Sequence, residues 1–153
     1  MEKIEQVHNI EEKQKAARFV LEQLQEWFGI EAAREEYIAE SEQQIFFAAK
    51  VNEETVGFLC LKETGKATLE LAVMGVLPEY HRQGIGRRLF MSARDYAVEG
   101  GYSFLQVKTV QMGKYANYDK TNQFYLSLGF KEFEVFPNLW DEWNPCQIYV
   151  MAL

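Results

Sequence analysis

The chain holds only two cysteines and two histidines in 153 residues. Cys60 and Cys146 lie far apart in apolar or aromatic stretches, and neither they nor His8 and His81 fall into metal-ligand spacing. A metal site is therefore not expected. Positive charge is also in short supply: 16 Lys+Arg face 23 Asp+Glu, a net charge of −7. That balance provides no basic field for nucleic acid or for an anionic membrane surface, and cationic partners suit it better than anionic ones. No stretch approaches the ~18 consecutive apolar residues of a membrane span, and the opening MEKIEQVHNIEEK is acidic without an apolar signal core. A cytoplasmic protein with reduced thiols is expected. Ser/Gly linkers, repeats and low-complexity tracts are lacking too, so residues 1–153 read as a single domain. With 48% hydrophobic residues, a chain of this length buries roughly two-thirds of its unfolded surface.

The patterning that is present alternates between two periods. Residues 2–7 read as a short strand. Asn9 and Glu12 then form a capping-box pair, in which the Asn side chain accepts an early helical N–H and the Glu reaches back to the Asn N–H. Ala17, Phe19, Val20, Leu21, Leu24, Trp27 and Phe28 continue at helical spacing as far as Gly29. A polar helix spans Glu31–Ser41, and Gln44–Val51, Thr55–Glu63 and Ala67–Val76 read as an antiparallel meander. A helix over Gly84–Glu99 places Ile85, Leu89, Ala93 and Ala97 on one face. A strand at Phe104–Val110, a short helix at Thr121–Leu128 and strands at Phe130–Phe136 and Gln147–Ala152 complete the chain. The expectation is a mixed α/β (α+β) domain with a mostly antiparallel sheet of about six to seven strands and about four helices.

One segment concentrates chemistry: Val76-Leu77-Pro78-Glu79-Tyr80-His81-Arg82-Gln83-Gly84-Ile85-Gly86-Arg87-Arg88. A strand enters a loop with two glycines that opens directly into a helix. Unpaired N–H groups and the positive end of the helix dipole then converge, which favours a phosphate. Glycine at 84 and 86 removes the Cβ that would hold a ligand away. A dinucleotide GxGxxG would require glycine where Leu89 stands, and a nucleoside-triphosphate loop would require Gly-Lys-Ser/Thr, so both fail.

What remains resembles the acetyl-CoA motif of the GNAT superfamily of N-acetyltransferases, Arg/Gln-x-x-Gly-x-Gly/Ala, with His81 in the first position. Thr121-Asn122-Gln123-Phe124-Tyr125-Leu126-Ser127-Leu128-Gly129-Phe130 resembles the family's second signature, a short helix with Phe-Tyr that ends at Leu-Gly-Phe. The resemblance implies direct acetyl transfer from acetyl-CoA to a primary amine, without a covalent enzyme intermediate and without a metal. It places the diphosphate on the backbone of Arg82, Gln83, Gly84, Ile85, Gly86 and Arg87, and the thioester oxygen at the Val76 amide. It makes Tyr125 the general acid for the departing thiolate and Glu70 the base. Tyr118 stands where many members carry an asparagine, seven residues before the tyrosine.

The stretch between the last two strands sets Trp140, Asp141, Glu142 and Trp143 between Pro137 and Pro145. Two aromatic faces and two carboxylates suit a cationic amine, through charge pairing and cation–π contact. A small-molecule acceptor is the expectation. A peptide or protein amine, and a catalytically inactive acyl-CoA-binding module, remain open at this point, as does a homodimer, which is common in the family.

Overall fold

The computed structural model describes residues 1–153. Its elements are β1 (Glu2–Val7), α1 (Ile10–Leu21), α2 (Gln25–Phe28), α3 (Glu31–Ser41), β2 (Ile45–Val51), β3 (Glu54–Gly65) and β4 (Thr68–Val76). After a 3₁₀ turn at Pro78–Tyr80 come α4 (Ile85–Glu99), β5 (Phe104–Val110), α5 (Ala116–Leu128), β6 (Lys131–Phe136) and β7 (Cys146–Ala152). The seven strands form one mixed sheet in the order β1-β2-β3-β4-β5-β7-β6. This is the α/β class the sequence predicts, with five α-helices where about four were expected.

Two compact units divide the chain. The first comprises Met1–Lys62 and Ala72–Tyr96. In it β1 pairs antiparallel with β2, and β2 with β3. Asn52 and Glu53, with φ of 51° and 70°, make the two-residue turn that suits the right-handed twist of a hairpin. Phe46 and Phe58 stack at 5.2 Å in a core that also holds Val20, Leu21, Leu59 and Leu89. Asn9 caps α1 as predicted, accepting from the Glu12 N–H at 2.9 Å. The Glu12 carboxylate, however, takes Lys50 Nζ at 3.2 Å, an ion-pair partner the sequence did not announce.

The helix expected to run on to Phe28 breaks after Leu21. Gln23 N–H bonds to Val20 C=O and Leu24 N–H to Leu21 C=O, both at 3.1 Å, a tighter turn than the α-helix makes. This turn sets buried Leu24 beside Val20 against β4. A Cβ on Gly75 would stand only 2.8 Å from Leu24 Cδ1, so glycine there is what lets the side chain reach the strand.

The second unit comprises Glu63–Leu71 and Ala97–Leu153. Thr68–Leu71 of β4 pairs parallel with Phe104–Val107, and β7 lies antiparallel between β5 and β6. Leu69, Leu105, Val107, Phe130 and Tyr149 are buried here. Helix α5 starts at Ala116, five residues before the Thr121 read from the sequence. Its first turn, Ala-Asn-Tyr-Asp-Lys, carries no apolar period, so hydrophobic spacing is silent there. Asp119 opens it instead: its N–H donates to Tyr115 C=O at 2.9 Å and its Oδ1 accepts from Gly113 N–H at 2.7 Å. Gly129, in the left-handed region at φ 107°, ends the helix as the Leu-Gly-Phe signal implies.

Candidate active site

The strand-loop-helix segment lies in the first unit. Val76 ends β4, and the Leu77 N–H donates to Val56 C=O of β3 at 2.8 Å. The 3₁₀ turn reverses the chain, Arg82 takes the left-handed region at φ 63° and Gly84 follows at φ 79°. A non-glycine residue held there is strained, and such strain concentrates where a backbone is shaped to grip a ligand. Arg88 N–H makes the first helical bond to Gly84 C=O at 3.0 Å, so Ile85 and Gly86 lie in the opening turn, whose N–H groups have no intrahelical acceptor. Ile85 is buried and anchors that turn, while Arg82, Gln83, Gly84 and Arg87 are exposed. This is a cradle able to hold a diphosphate on backbone donors and the helix dipole.

Side chains around the cradle hold the backbone in place. Gln83 Nε2 folds back to Glu79 C=O at 3.2 Å. Arg88 bonds Gln83 C=O at 3.0 Å and is clasped by the Glu2 carboxylate, with Nη2 to Oε2 at 2.8 Å and a second bond through Nε. The guanidinium therefore spends its charge on Glu2 and braces the loop. Glu2 lies 86 positions away in the chain, and no local sequence signal could have paired the two. His81 is exposed, yet its ring is committed: its Nε2–H donates to Val76 C=O at 2.6 Å, and Trp27 of α2 meets it edge-on at 6.0 Å.

The residues assigned acid and base roles lie in the second unit. Tyr125, 7% exposed, sits on α5 between Phe130 and Tyr149, with ring centroids 5.9 and 6.2 Å away. Its helix is locked by Asn122, one turn earlier and fully buried. Asn122 donates to Val110 C=O at 2.8 Å and to Tyr118 C=O at 2.7 Å, and accepts from the Tyr149 hydroxyl at 2.6 Å. A buried amide satisfied in this way fixes the helix against β5 and β7. Tyr118, in the position of the family asparagine, is half-buried, and burial pushes its phenol up. Glu70, 5% exposed on β4, is ion-paired with Lys108 of β5 at 2.9 Å. That lysine was missed because only the parallel β4–β5 register places it beside the glutamate.

The aromatic connection between β6 and β7 is also in the second unit. Trp140 is 47% and Trp143 70% exposed, so neither fills the core. Asp141 is turned inward: Oδ1 accepts the N–H groups of Trp143 and Asn144 at 2.8 Å each, and both oxygens bond Asn144 Nδ2 at 3.1 Å. The Asn144 amide first, then the backbone donors, hold its carboxyl below the ordinary range. Asp141 thus organises the loop, and Glu142 keeps the exposed carboxylate. Pro145 C=O accepts Gln111 N–H at 2.9 Å, tying the loop to the segment that follows β5.

A mixed sheet with a glycine cradle between its central strand and a helix defines a class of acyl-CoA-dependent transferases. The sequence profile of the acetyltransferase (GNAT) domain matches residues 42–132, more than half of the chain. No curated protein matches the sequence. Among solved structures, one from Desulfovibrio desulfuricans described as a GNAT-family acetyltransferase is 20% identical, with 99% of each chain covered and a TM-score of 0.84. The ribosomal-protein-S18-alanine N-acetyltransferase of Escherichia coli is 19% identical over 99% of this chain and 94% of that one, with a TM-score of 0.79. An aminoglycoside 6'-N-acetyltransferase complexed with coenzyme A is 20% identical over 98% and 96%, with a TM-score of 0.73. The chain belongs to the GNAT acetyltransferase family and is an acetyl-CoA-dependent acetyltransferase. No group of three or more His, Cys, Asp or Glu side chains could hold a metal ion, and no helix is long and apolar enough to cross a membrane.

Proposed function

We propose that this acetyltransferase acts in the cytoplasm on the primary amine of a cationic small molecule, by direct attack on the acetyl-CoA thioester. The observation that carries the acceptor class is the pair of exposed tryptophans on a loop whose own aspartate is consumed in holding it rigid. A fixed aromatic pair beside the Glu142 carboxylate suits an ammonium group, at low cost in ordering entropy. The diphosphate of acetyl-CoA rests on the backbone of Arg82–Arg87, and the Val76 N–H donates to the thioester oxygen as it gains charge. Glu70 takes a proton from the acceptor ammonium. The free amine then adds to the carbonyl carbon, the carbon–sulfur bond breaks as Tyr125 delivers its proton to the sulfur, and the extra proton on the attacking nitrogen passes to the Tyr125 phenolate, which restores the acid. The products are the acetamide and free coenzyme A, and the proton removed from the ammonium leaves through Glu70. Lys108 Nζ, 2.9 Å from the Glu70 carboxylate, competes with the acceptor ammonium for it, so proton transfer to Glu70 requires this ion pair to open.

A thiol-release assay over polyamines, aminoglycosides, amino acids, peptide N-termini and lysine peptides tests the proposal. Turnover confined to multiply charged small amines is the expected result. Preference for peptides would transfer the assignment to protein acceptors, and acetyl-CoA binding without any turnover would make the chain a binding module. Glu142→Gln should raise the acceptor KM and leave acetyl-CoA affinity unchanged.

A further inference from the structure

The motif position filled by Arg or Gln in relatives is His81 here, and its side chain is committed to the backbone. A carbonyl only accepts, so the 2.6 Å contact to Val76 C=O requires a proton on Nε2 whatever the charge of the ring. The same peptide unit is held at its other end, where Leu77 N–H bonds Val56 C=O at 2.8 Å. The Val76–Leu77 peptide plane is therefore held at both its carbonyl and its N–H, which fixes ψ of Val76, the last residue of β4. His81 reaches back five positions because the 3₁₀ turn folds it there: Tyr80 N–H bonds Leu77 C=O at 2.9 Å and His81 N–H bonds Pro78 C=O at 3.1 Å. Trp27 stands against the imidazole at 6.0 Å and limits its swing. Trp27 is in turn placed by the break after α1, which seats Leu24 on Gly75, the residue before Val76. Immediately after His81, Arg82 turns left-handed into the diphosphate cradle.

We propose that His81, backed by Trp27, is a positioning residue that fixes the end of β4 for the pantetheine arm and sets its register against the diphosphate cradle. This rests on the reading that β4 and Arg82–Arg87 hold acetyl-CoA. The role divides the cosubstrate into two halves. The nucleotide half meets the cradle alone, whereas the arm needs the pinned peptide.

The test is calorimetry of wild type, His81→Ala and His81→Gln with acetyl-CoA and with adenosine 3′-phosphate 5′-diphosphate, its nucleotide half. Losing one hydrogen bond that orders the arm site is expected to weaken acetyl-CoA by roughly tenfold in His81→Ala. Affinity for the nucleotide half should stay within about twofold of wild type, and His81→Gln, whose amide places a donor near the Nε2 position, should recover most of the loss. Equal losses for both ligands would overturn the proposal, since His81 would then only shape the loop, and so would unchanged binding of both. Wild type that binds neither ligand would instead sink the reading on which the proposal rests. Unfolding midpoints measured alongside confirm that each variant is folded, and His81→Leu, which keeps bulk against Trp27 but has no donor, takes the place of the alanine variant if that one does not fold.

Discussion

Tyr125 combines a buried ring with a phenolic O–H, a donor of the kind a departing thiolate requires. Phenylalanine preserves the ring contacts with Phe130 and Tyr149 and removes the hydroxyl. Tyr125→Phe should therefore lower kcat by about a hundredfold or more, with acetyl-CoA KM nearly unchanged and little change in unfolding midpoint. Steady-state kinetics read against thermal unfolding check this, and a fall in stability matching the fall in rate would remove the acid role. At Gly84 two effects compete in an alanine substitution. The new Cβ would stand 2.9 Å from Arg88 Nη1, the far end of a flexible side chain, so the steric part is small. The φ of 79° is the larger problem, because a Cβ in the left-handed region costs about 1–2 kcal/mol. Gly84→Ala should lose about that much stability in a denaturant titration, and should bind acetyl-CoA more weakly in calorimetry.

At the scale of elements, the β6–β7 connection derives its order from one ionised side chain. The Asp141 carboxyl is held below its usual 3.8 in the folded loop, chiefly by Asn144. A depressed folded pKa means that its contribution is fully present above the unfolded value and is lost as pH falls through the folded one. The loop should keep its geometry from neutrality down to about pH 4 and loosen only below the ordinary carboxylate range. Tryptophan emission followed from pH 7 to pH 2 should show a low-pH change that is missing in Asp141→Asn, whose side chain does not titrate. Identical titrations of the two proteins would show that the aspartate does not hold the loop. The Asp-x-x-Asn spacing is the local sign of such a turn, which leaves the flanking tryptophans exposed. Helix α4 was legible because Ile85, Leu89, Ala93 and Ala97, four residues apart, are all buried. The strand–loop–helix geometry of the cradle was legible because it depends on glycines and on the start of α4, which local sequence encodes. The break after α1, the Arg88–Glu2 brace and the Glu70–Lys108 pair were not, because each depends on a tertiary or cross-strand neighbour that no local pattern encodes.

For the whole molecule, the net charge of −7 acts in opposite directions on the two substrates. Acetyl-CoA is a polyanion and must approach an acidic protein, so on the proposed reading its binding depends on short-range amide and dipole contacts at the cradle, where Arg88 is already matched by Glu2. A cationic acceptor is favoured by the long-range field as well as by its local site. Added salt separates these contributions, since the screening length falls from about 10 Å at 0.1 M to about 3 Å at 1 M. Between these limits, kcat/KM for a polyamine should fall several-fold, and it should fall less for a monoamine carrying a single charge. Acetyl-CoA affinity should change weakly or improve, because screening removes the repulsion of the acidic surface while leaving the hydrogen bonds of the cradle. If the acceptor's salt dependence did not grow with its charge, recognition would rest on the shape and apolar surface of the tryptophan loop alone, and Glu142→Gln would then leave kcat/KM unchanged at every ionic strength.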